Sequence, residues 1–324
     1  MTWLALAAGA AAMACVGGSV AVSGVLSAAP FFTAEGVRYL LACLLLVGFT
    51  RLAGIRLHRP RGAEWLWLSG ITGSGLVAFN IALVEGARHA EPAVLGVAVS
   101  SVPPVLAVIG PLLERSAVRL TAVLAGVVVT GGAAAVQGFG RTDAAGVGFA
   151  AVVLGTECAF TLLAIPVLGR HGPAGVSVHT TGLAAVLFCG IGALREGPAA
   201  VTRLTVPDWL ATGYLAVFVT AVAFVLWYTC VSRTGASRAG LLTGVAPVTA
   251  AATGVLLGRP APGPLVWAGT AVVLAGLALG LRRPKPASAR PRPDPPHDSD
   301  GSPHDQPGRQ AQAGQPQQAA AAHP

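Results

Sequence analysis

Long apolar runs separated by short polar segments fill the chain up to about residue 283. Ten of these runs approach the ~20 residues that a helix needs to cross the hydrocarbon of a membrane. Their predicted ranges are 3–25, 31–50, 64–85, 92–112, 117–137, 146–168, 174–194, 208–231, 236–257 and 264–281. Because a backbone in lipid must satisfy its own hydrogen bonds, such runs predict helices. The pattern therefore predicts an all-α membrane protein with ten transmembrane helices.

A fixed spacing of 144 residues relates the first half of the chain to the second. The residues that recur at this spacing are Trp65, Pro103, Arg115 and Gly132, matched by Trp209, Pro247, Arg259 and Gly276. Since each half holds five helices, an odd number, the second half enters the membrane in the opposite sense. We therefore expect two inverted five-helix repeats, residues 1–138 and 139–283, as in many secondary transporters.

Charge is scarce and unevenly placed. Charged residues make up 10% of the chain, against about 25% in soluble domains. The net charge of +8 comes from short loops and from the residues after the last run, without the basic face that a nucleic-acid-binding protein needs. With both termini in the cytoplasm, twelve Lys and Arg residues lie inside and six outside. This bias predicts cytoplasmic termini and a multi-pass protein of the plasma membrane.

The two ends of the chain differ from its body. No Lys or Arg precedes Arg38, so the first apolar run lacks the basic start of a signal peptide and is predicted to be an uncleaved span. Residues 284–324 are rich in Pro, Gln and Ala, which predicts a disordered cytoplasmic tail. Its irregularly spaced histidines do not predict a metal site. The five cysteines lie in apolar runs without CxxC spacing, so we expect no disulfide, metal or cofactor.

Glu157 is the first candidate for function. It lies near the centre of the sixth run, where a carboxylate costs about 2.5–3.5 kcal/mol on insertion scales and is expected to face the bundle interior. We interpret it as a proton-coupling group or as the counter-ion of a cationic substrate. The alternative is a structural carboxylate that is hydrogen-bonded to a neighbouring threonine or to the backbone.

Prolines interrupt the fourth and ninth runs at related positions. A proline inside a helix removes one N–H and displaces the carbonyl four residues earlier. The prolines are Pro103, Pro104 and Pro247, and the carbonyls are those of Val99, Ser100 and Thr243. Their symmetric placement predicts a hinge or a cavity wall at broken helices. A passive kink that improves packing is the alternative.

Further polar and aromatic residues within the runs are secondary candidates for the solute site. They are Asn80, His179, Trp227, Tyr228 and Arg38. Each is expected either to face a cavity or to form a hydrogen bond within the bundle. For Arg38, contact with lipid phosphate by snorkelling is a further alternative. Glycines at GxxxG spacing are expected to pack helices within the chain, which leaves a homodimer open.

At its paired elements the chain resembles the EamA-type family of the drug/metabolite transporter superfamily. The first copy contains Ser101-Val102-Pro103, Pro111 to Arg115 and the stretch from Gly126 to Gly132. The second contains Ala246-Pro247-Val248, Leu256 to Arg259 and the stretch from Gly269 to Gly280. Two features depart from the family. The turn glutamate is Glu114 in the first copy but Gly258 in the second, and the tryptophan common in the first helix of each repeat is missing.

The resemblance implies a secondary transporter. We expect an exporter that moves a small metabolite or drug-like solute by alternating access, in contact with membrane lipids and coupled to protons through Glu157. A membrane enzyme is disfavoured because the runs hold neither paired carboxylates nor a His/Asp metal cluster. A receptor or assembly partner that acts through the tail remains the alternative.

Overall fold

Ten α-helices form the body of the protein in a computed structural model that describes residues 2–19, 22, 25–258 and 262–282. They are α1 (Thr2–Gly18), α2 (Phe31–Leu52), α3 (Glu64–Gly86), α4 (Pro92–Leu113), α5 (Leu120–Gln137), α6 (Ala144–Leu162), α7 (Ile165–Arg195), α8 (Val206–Thr234), α9 (Ala236–Leu256) and α10 (Pro264–Leu281). Within the described ranges there is no β-strand, and an isolated bridge joins Ala90 to Thr142. The predicted all-α class is confirmed for this part of the chain.

Helices α2 to α10 are each long and apolar enough to cross a membrane. Helix α1, with 17 residues, ends before the predicted limit at residue 25 and is the shortest of the ten described helices. The predicted tail, residues 284–324, and the predicted repeat residue Arg259 lie outside the described residues.

The sixth and seventh helices differ from their predicted ranges. Helix α6 ends at Leu162 rather than at residue 168, and α7 already begins at Ile165. Helix α7 then kinks at Gly172, where φ is 66° and ψ is 171°, directly before Pro173. Glycine adopts this positive φ without the steric penalty of a Cβ atom. The predicted span 174–194 is therefore the part of α7 that follows the kink.

Local sequence signals explain where several helices begin. The Asp143 carboxylate accepts a hydrogen bond from the Gly146 backbone N–H at 2.8 Å and caps α6. Thr205 and Asp208 form a capping box at α8, which satisfies two backbone donors that the first helical turn leaves free. Proline opens α4 and α10, where its missing N–H has no helical partner in any case.

Helices at equivalent positions of the two halves pack closely against each other. The pairs α5–α10 and α2–α7 form the most extensive interfaces between the described helices. A methyl group added at Gly132 would lie 2.7 Å from the backbone nitrogen of Val273, and one added at Gly276 would lie 3.0 Å from that of Val129. The contacts of α5 with α10 thus run in opposite chain directions, so the two helices are antiparallel.

Several other contacts between helices follow the same exchange of the two halves. Helix α1 contacts α8 and α9, while α6, the equivalent of α1, contacts α3 and α4. In the same way α3 contacts α7, and α8 contacts α2. Every contact of this set therefore has its counterpart when the two halves are interchanged.

Apolar side chains cover the outside of the helix bundle. Leu66, Val186, Leu210 and Leu256 are each more than 70% exposed. Soluble monomers rarely expose large continuous apolar surfaces. The exposed apolar side chains and the length of the helices together indicate that lipid surrounds the bundle.

Candidate functional site

A cavity of about 120 Å³ lies between helices of both halves. Helices α1, α2, α3 and α4 line it from the first half, and α6 and α8 line it from the second. The lining residues are Met13, Val16, Arg38, Tyr39, Gly75, Phe79, Asn80, Val99, Glu157, Phe160, Val219, Ala223, Phe224 and Trp227. The cavity thus brings together Glu157, Arg38, Asn80 and Trp227, four of the residues that the sequence suggests for the site.

Most of the cavity wall consists of residues that are 144 positions apart. The pairs are Met13 with Glu157, Val16 with Phe160, Gly75 with Val219, Phe79 with Ala223 and Asn80 with Phe224. Each pair takes one residue from each half of the chain. Equivalent segments of the two halves therefore meet at one central space.

Two π-helical segments carry part of this wall. They are Thr72–Ala78 within α3 and Leu215–Val222 within α8, and they occupy equivalent positions of the two halves. A π-helical turn widens the helix and is frequent at functional sites. Sequence reasoning missed both segments because no proline marks them. Gly75 allows a close approach of α3 to α6, since a methyl group there would lie 2.5 Å from Cβ of Phe160.

Arg38 reaches the cavity wall in an ion pair. Its Nη1 atom donates to both carboxylate oxygens of Glu35 at 3.2 Å, and its Nε atom donates to Oγ1 of Thr220 at 2.9 Å. The side chains of Arg38 and Glu35 are only 12% and 8% exposed. The positive charge of Arg38 is therefore balanced within the protein, and the side chain points inward rather than toward the headgroups.

Asn80 is fixed in place by hydrogen bonds. Its Nδ2 atom donates to the hydroxyl of Tyr39 at 3.0 Å and to the backbone oxygen of Leu76 at 2.6 Å. The Tyr39 ring stacks on that of Phe188 with centroids 5.5 Å apart. These contacts connect α2, α3 and α7 and hold one polar edge of the cavity.

Glu157 lines the cavity without a partner for its charge. Among the described residues, none forms a hydrogen bond or an ion pair with its carboxylate. The hydroxyl of the neighbouring Thr156 donates instead to the backbone oxygen of Val152 at 2.8 Å. Met13 and Val16, both apolar, line the cavity from α1. Glu157 is thus the unbalanced charge of the cavity wall.

Trp227 and Tyr228 occupy different places although they are adjacent in sequence. Trp227 lines the cavity and donates through Nε1 to Oγ1 of Thr161 at 3.1 Å. Tyr228 is fully buried outside the lining set, and its hydroxyl donates to the backbone oxygen of Phe160 at 3.3 Å. Tyr228 therefore supports the wall from behind Phe160.

Comparison with known proteins shows which family the chain is similar to. The model of the EamA-like transporter family matches residues 145–282. The chain is also 28% identical over 263 residues to a Bacillus subtilis (strain 168) protein named "Uncharacterized transporter YetK", across 78% of this chain and 79% of that protein. Both matches relate the chain to EamA-type transporters. The resemblance predicted from the paired sequence elements is confirmed.

A solved crystal structure supports the fold of this chain. It covers 86% of the chain and 96% of its own length with a TM-score of 0.71. Because the identity is 18%, this similarity concerns the fold alone. The match with this family and the nine described helices of membrane-spanning length together support a multi-pass membrane protein.

One of the two helix breaks, that of α4, lies next to the cavity. Helix α4 is interrupted at Ser101, and α9 contains a 3₁₀ turn at Leu242–Gly244. Pro103, Pro104 and Pro247 follow these breaks and do not belong to the described lining, whereas Val99 does. The Ser100 carbonyl accepts a hydrogen bond from Oγ1 of Thr130 at 2.9 Å. Helix α5 therefore satisfies one of the two carbonyls displaced in α4.

His179 lies in a polar cluster that is separate from the cavity. Its Nε2 atom is 3.0 Å from the backbone oxygen of His58, and its ring centroid is 5.3 Å from that of His171. Nε2 of His171 lies 3.3 Å from Oε2 of Glu64, which also pairs with Arg170. This cluster joins the α2–α3 connection to α7. Among the described residues no group suited to hold a metal is present.

Several residues of the site were not singled out from the sequence. Met13, Phe160 and Phe224 belong to pairs at the repeat spacing, so applying that spacing to Glu157 and Asn80 already leads to Met13 and Phe224. The same spacing leads from His179 to Glu35. Glu35 also lies three residues before Arg38 along α2, a spacing at which side chains of one helix meet.

Proposed function

We propose that this protein is a secondary transporter that carries a small metabolite or drug-like solute through the central cavity by alternating access. The observation that carries the proposal is the cavity wall made of residue pairs from the two halves. Transporters built from repeats hold their solute near the membrane midplane, where the repeats meet. The sequence contains no Walker A motif, so we propose that transport does not use ATP directly.

We propose that residues 1–138 and 139–283 are two inverted five-helix repeats. The antiparallel contact of α5 with α10 through Gly132 and Gly276 supports this assignment, because repeat-related helices run in opposite directions only if the repeats are inverted. A second support is that contacts such as those of α1 with α8 and α9 recur, with the two halves interchanged, as contacts of α6 with α3 and α4. Rocking of one repeat against the other around the cavity is the corresponding transport motion.

Glu157 is the proposed proton-coupling group. Ionisable residues within a membrane mark solute paths or proton relays by default, and the carboxylate of Glu157 lines the cavity without a partner among the described residues. Glu35 is less suited, because Arg38 already neutralises it. Asn80, Trp227 and Arg38 are proposed to contact the solute, and the breaks before Pro103 and Pro247 are proposed as hinges.

Export across the plasma membrane is the proposed direction, with both termini in the cytoplasm. The distribution of Lys and Arg, twelve inside and six outside, supports the orientation. The direction of flux rests on the family resemblance. A comparison of metabolites in knockout and overexpressing cells tests it, since an export substrate accumulates inside the knockout.

The coupling test uses the full-length protein in liposomes and the solute that this comparison identifies. Glu157→Gln is expected to abolish the response of transport to an imposed pH gradient, because the amide cannot bind and release the coupling proton. Glu85→Gln is the matched control, since Glu85 lies at an exposed ion pair with Arg88. Full transport by Glu157→Gln with an unchanged response to the gradient would refute the role of Glu157.

A further inference from the structure

The cavity chemistry indicates which charge class of solute it accepts. We infer that the central cavity binds small alkylated ammonium cations, with the cationic group toward Glu157. This inference rests on the proposed function, because it names the solute class of the same cavity. It is argued from the charge balance of the wall, from its aromatic surface and from its size.

The cavity wall and the groups paired with it carry one unbalanced negative charge. Arg38 is neutralised by Glu35 through two hydrogen bonds and is held by Thr220. The Glu157 carboxylate, in contrast, has no partner among the described residues. A buried charge without a partner is unfavourable. A cationic solute removes this penalty, whereas an anion adds a second negative charge and needs Arg38 to leave Glu35.

Aromatic rings form the surface around Glu157. Phe79, Phe160, Phe224 and Trp227 line the same cavity, and the centroids of Phe160 and Phe224 are 5.0 Å apart. The face of an aromatic ring attracts a cation within about 6 Å, and this attraction grows when water is excluded. Cages of such rings are a known means of binding quaternary ammonium groups.

Among the described lining side chains, few can accept a hydrogen bond from an ammonium group. The indole of Trp227 is a donor only, and the Tyr39 hydroxyl already accepts from Nδ2 of Asn80. The carboxylate of Glu157 and Oδ1 of Asn80 remain as acceptors. A primary ammonium group presents three N–H donors, each of which needs an acceptor. An alkylated ammonium group has fewer donors or none, so its burial places a smaller demand on these acceptors.

Size limits the cation. An apolar cavity of about 150 Å³ accepts benzene, and the cavity here measures about 120 Å³. It therefore suits a solute of roughly benzene size, such as a trimethylammonium group with a short chain. The apolar residues Met13 and Val16 on α1 leave the methyl groups of such a cation a surface to contact.

The test measures binding of radiolabelled choline to the purified full-length protein in detergent, followed by choline counterflow in liposomes. Competitors are dimethylbutanol, the neutral carbon isostere of choline, and glycine betaine, which adds a carboxylate. We expect unlabelled choline to displace the label and both competitors to be at least about tenfold weaker. Competition by either one at the strength of choline would overturn the inference without any variant.

Two variants locate the interaction. Glu157→Gln is expected to weaken choline binding about thirtyfold or more, as loss of one partner of a buried charge pair does. Phe224→Leu keeps an apolar side chain but removes a ring face and is expected to weaken binding about threefold. Glu85→Gln should bind choline like the wild type. Unchanged choline binding by Glu157→Gln would contradict the inference.

The two proposals can fail separately. Choline binding that depends on Glu157, without counterflow of any solute, would leave the binding inference standing and refute transport. Counterflow of a neutral or anionic solute, together with absence of choline binding, would support transport and refute the inference.

Discussion

Two adjacent glycines of α5 provide a matched test of the packing between the two halves. Replacing Gly132 by alanine adds a methyl group 2.7 Å from the Val273 backbone nitrogen and 2.8 Å from the Gly269 backbone oxygen. The same replacement at Gly131 meets nothing within 4 Å. We therefore expect Gly132→Ala to destabilise the protein and Gly131→Ala to leave it unchanged or more stable.

The magnitude follows from two opposing terms. Alanine gains about 1 kcal/mol over glycine from helix propensity, and this gain is the same at both positions. At Gly132 the methyl group falls about 1 Å short of an ordinary 3.5–4.0 Å contact, and the atoms it meets are backbone atoms that cannot rotate away. Overpacking of this kind costs about 1–3 kcal/mol. The two variants should thus differ by about 1–3 kcal/mol in the free energy of unfolding.

The assay is equilibrium unfolding of the purified protein in mixed micelles of increasing SDS content, followed by far-ultraviolet circular dichroism. Gly276→Ala is a second test, because its methyl group would lie 2.8 Å from Cγ2 and 3.0 Å from the backbone nitrogen of Val129. If Gly132→Ala and Gly131→Ala unfold at the same SDS fraction, α5 and α10 do not approach each other as described.

Two further predictions concern carboxylates at helix starts. Oε1 of Glu114 accepts a hydrogen bond at 2.9 Å from the backbone N–H of Ala236, the first residue of α9. Glu114→Ala should raise the rate of hydrogen exchange at the start of α9 by a factor equivalent to about 1 kcal/mol or more. Glu114→Gln should raise it less, because the amide oxygen can still accept the hydrogen bond. Equal exchange rates in the wild type and both variants would refute this prediction. The Gly146 backbone N–H, with a smaller effect of His89, holds the pKa of Asp143 below its ordinary value of 3.8. A carboxylate whose pKa is lowered by folding stabilises the folded state at pH values above its ordinary pKa. Hydrogen exchange at Gly146 should therefore rise as the pH falls through the lowered pKa of Asp143. The variant Asp143→Asn should not show this rise.

The helices could be predicted because lipid imposes a length and an apolar composition on each span. The end of α6 at Leu162 and the start of α7 at Ile165 could not be predicted. The apolar run continues across both, and only the backbone geometry at Gly172 and Pro173 shows where the next span begins. The repeat spacing in turn marked the residues that place α5 against α10.

The candidate site was predicted only in part, for a reason that α6 illustrates. This helix is apolar on all sides, so no polar face indicates which side points inward. Glu157 could be assigned to the interior because a carboxylate is too unfavourable in lipid. Hydrogen bonds within the bundle can satisfy Tyr228 and His179 without a place in the cavity, and these residues lie behind the wall and in the separate histidine cluster.

The 144-residue spacing accounts for how the cavity wall is assembled but not for its chemistry. At the pairs that line it, Glu157 faces Met13 in the repeat alignment and Asn80 faces Phe224. Two carboxylates at equivalent positions would share one small cavity, and their repulsion would favour protonation of one of them. With a single carboxylate, the cavity keeps one full charge that one proton or one cationic group can neutralise. In the proposed transporter, the difference between the two halves at these positions therefore allows the cavity to hold a solute with one charged end.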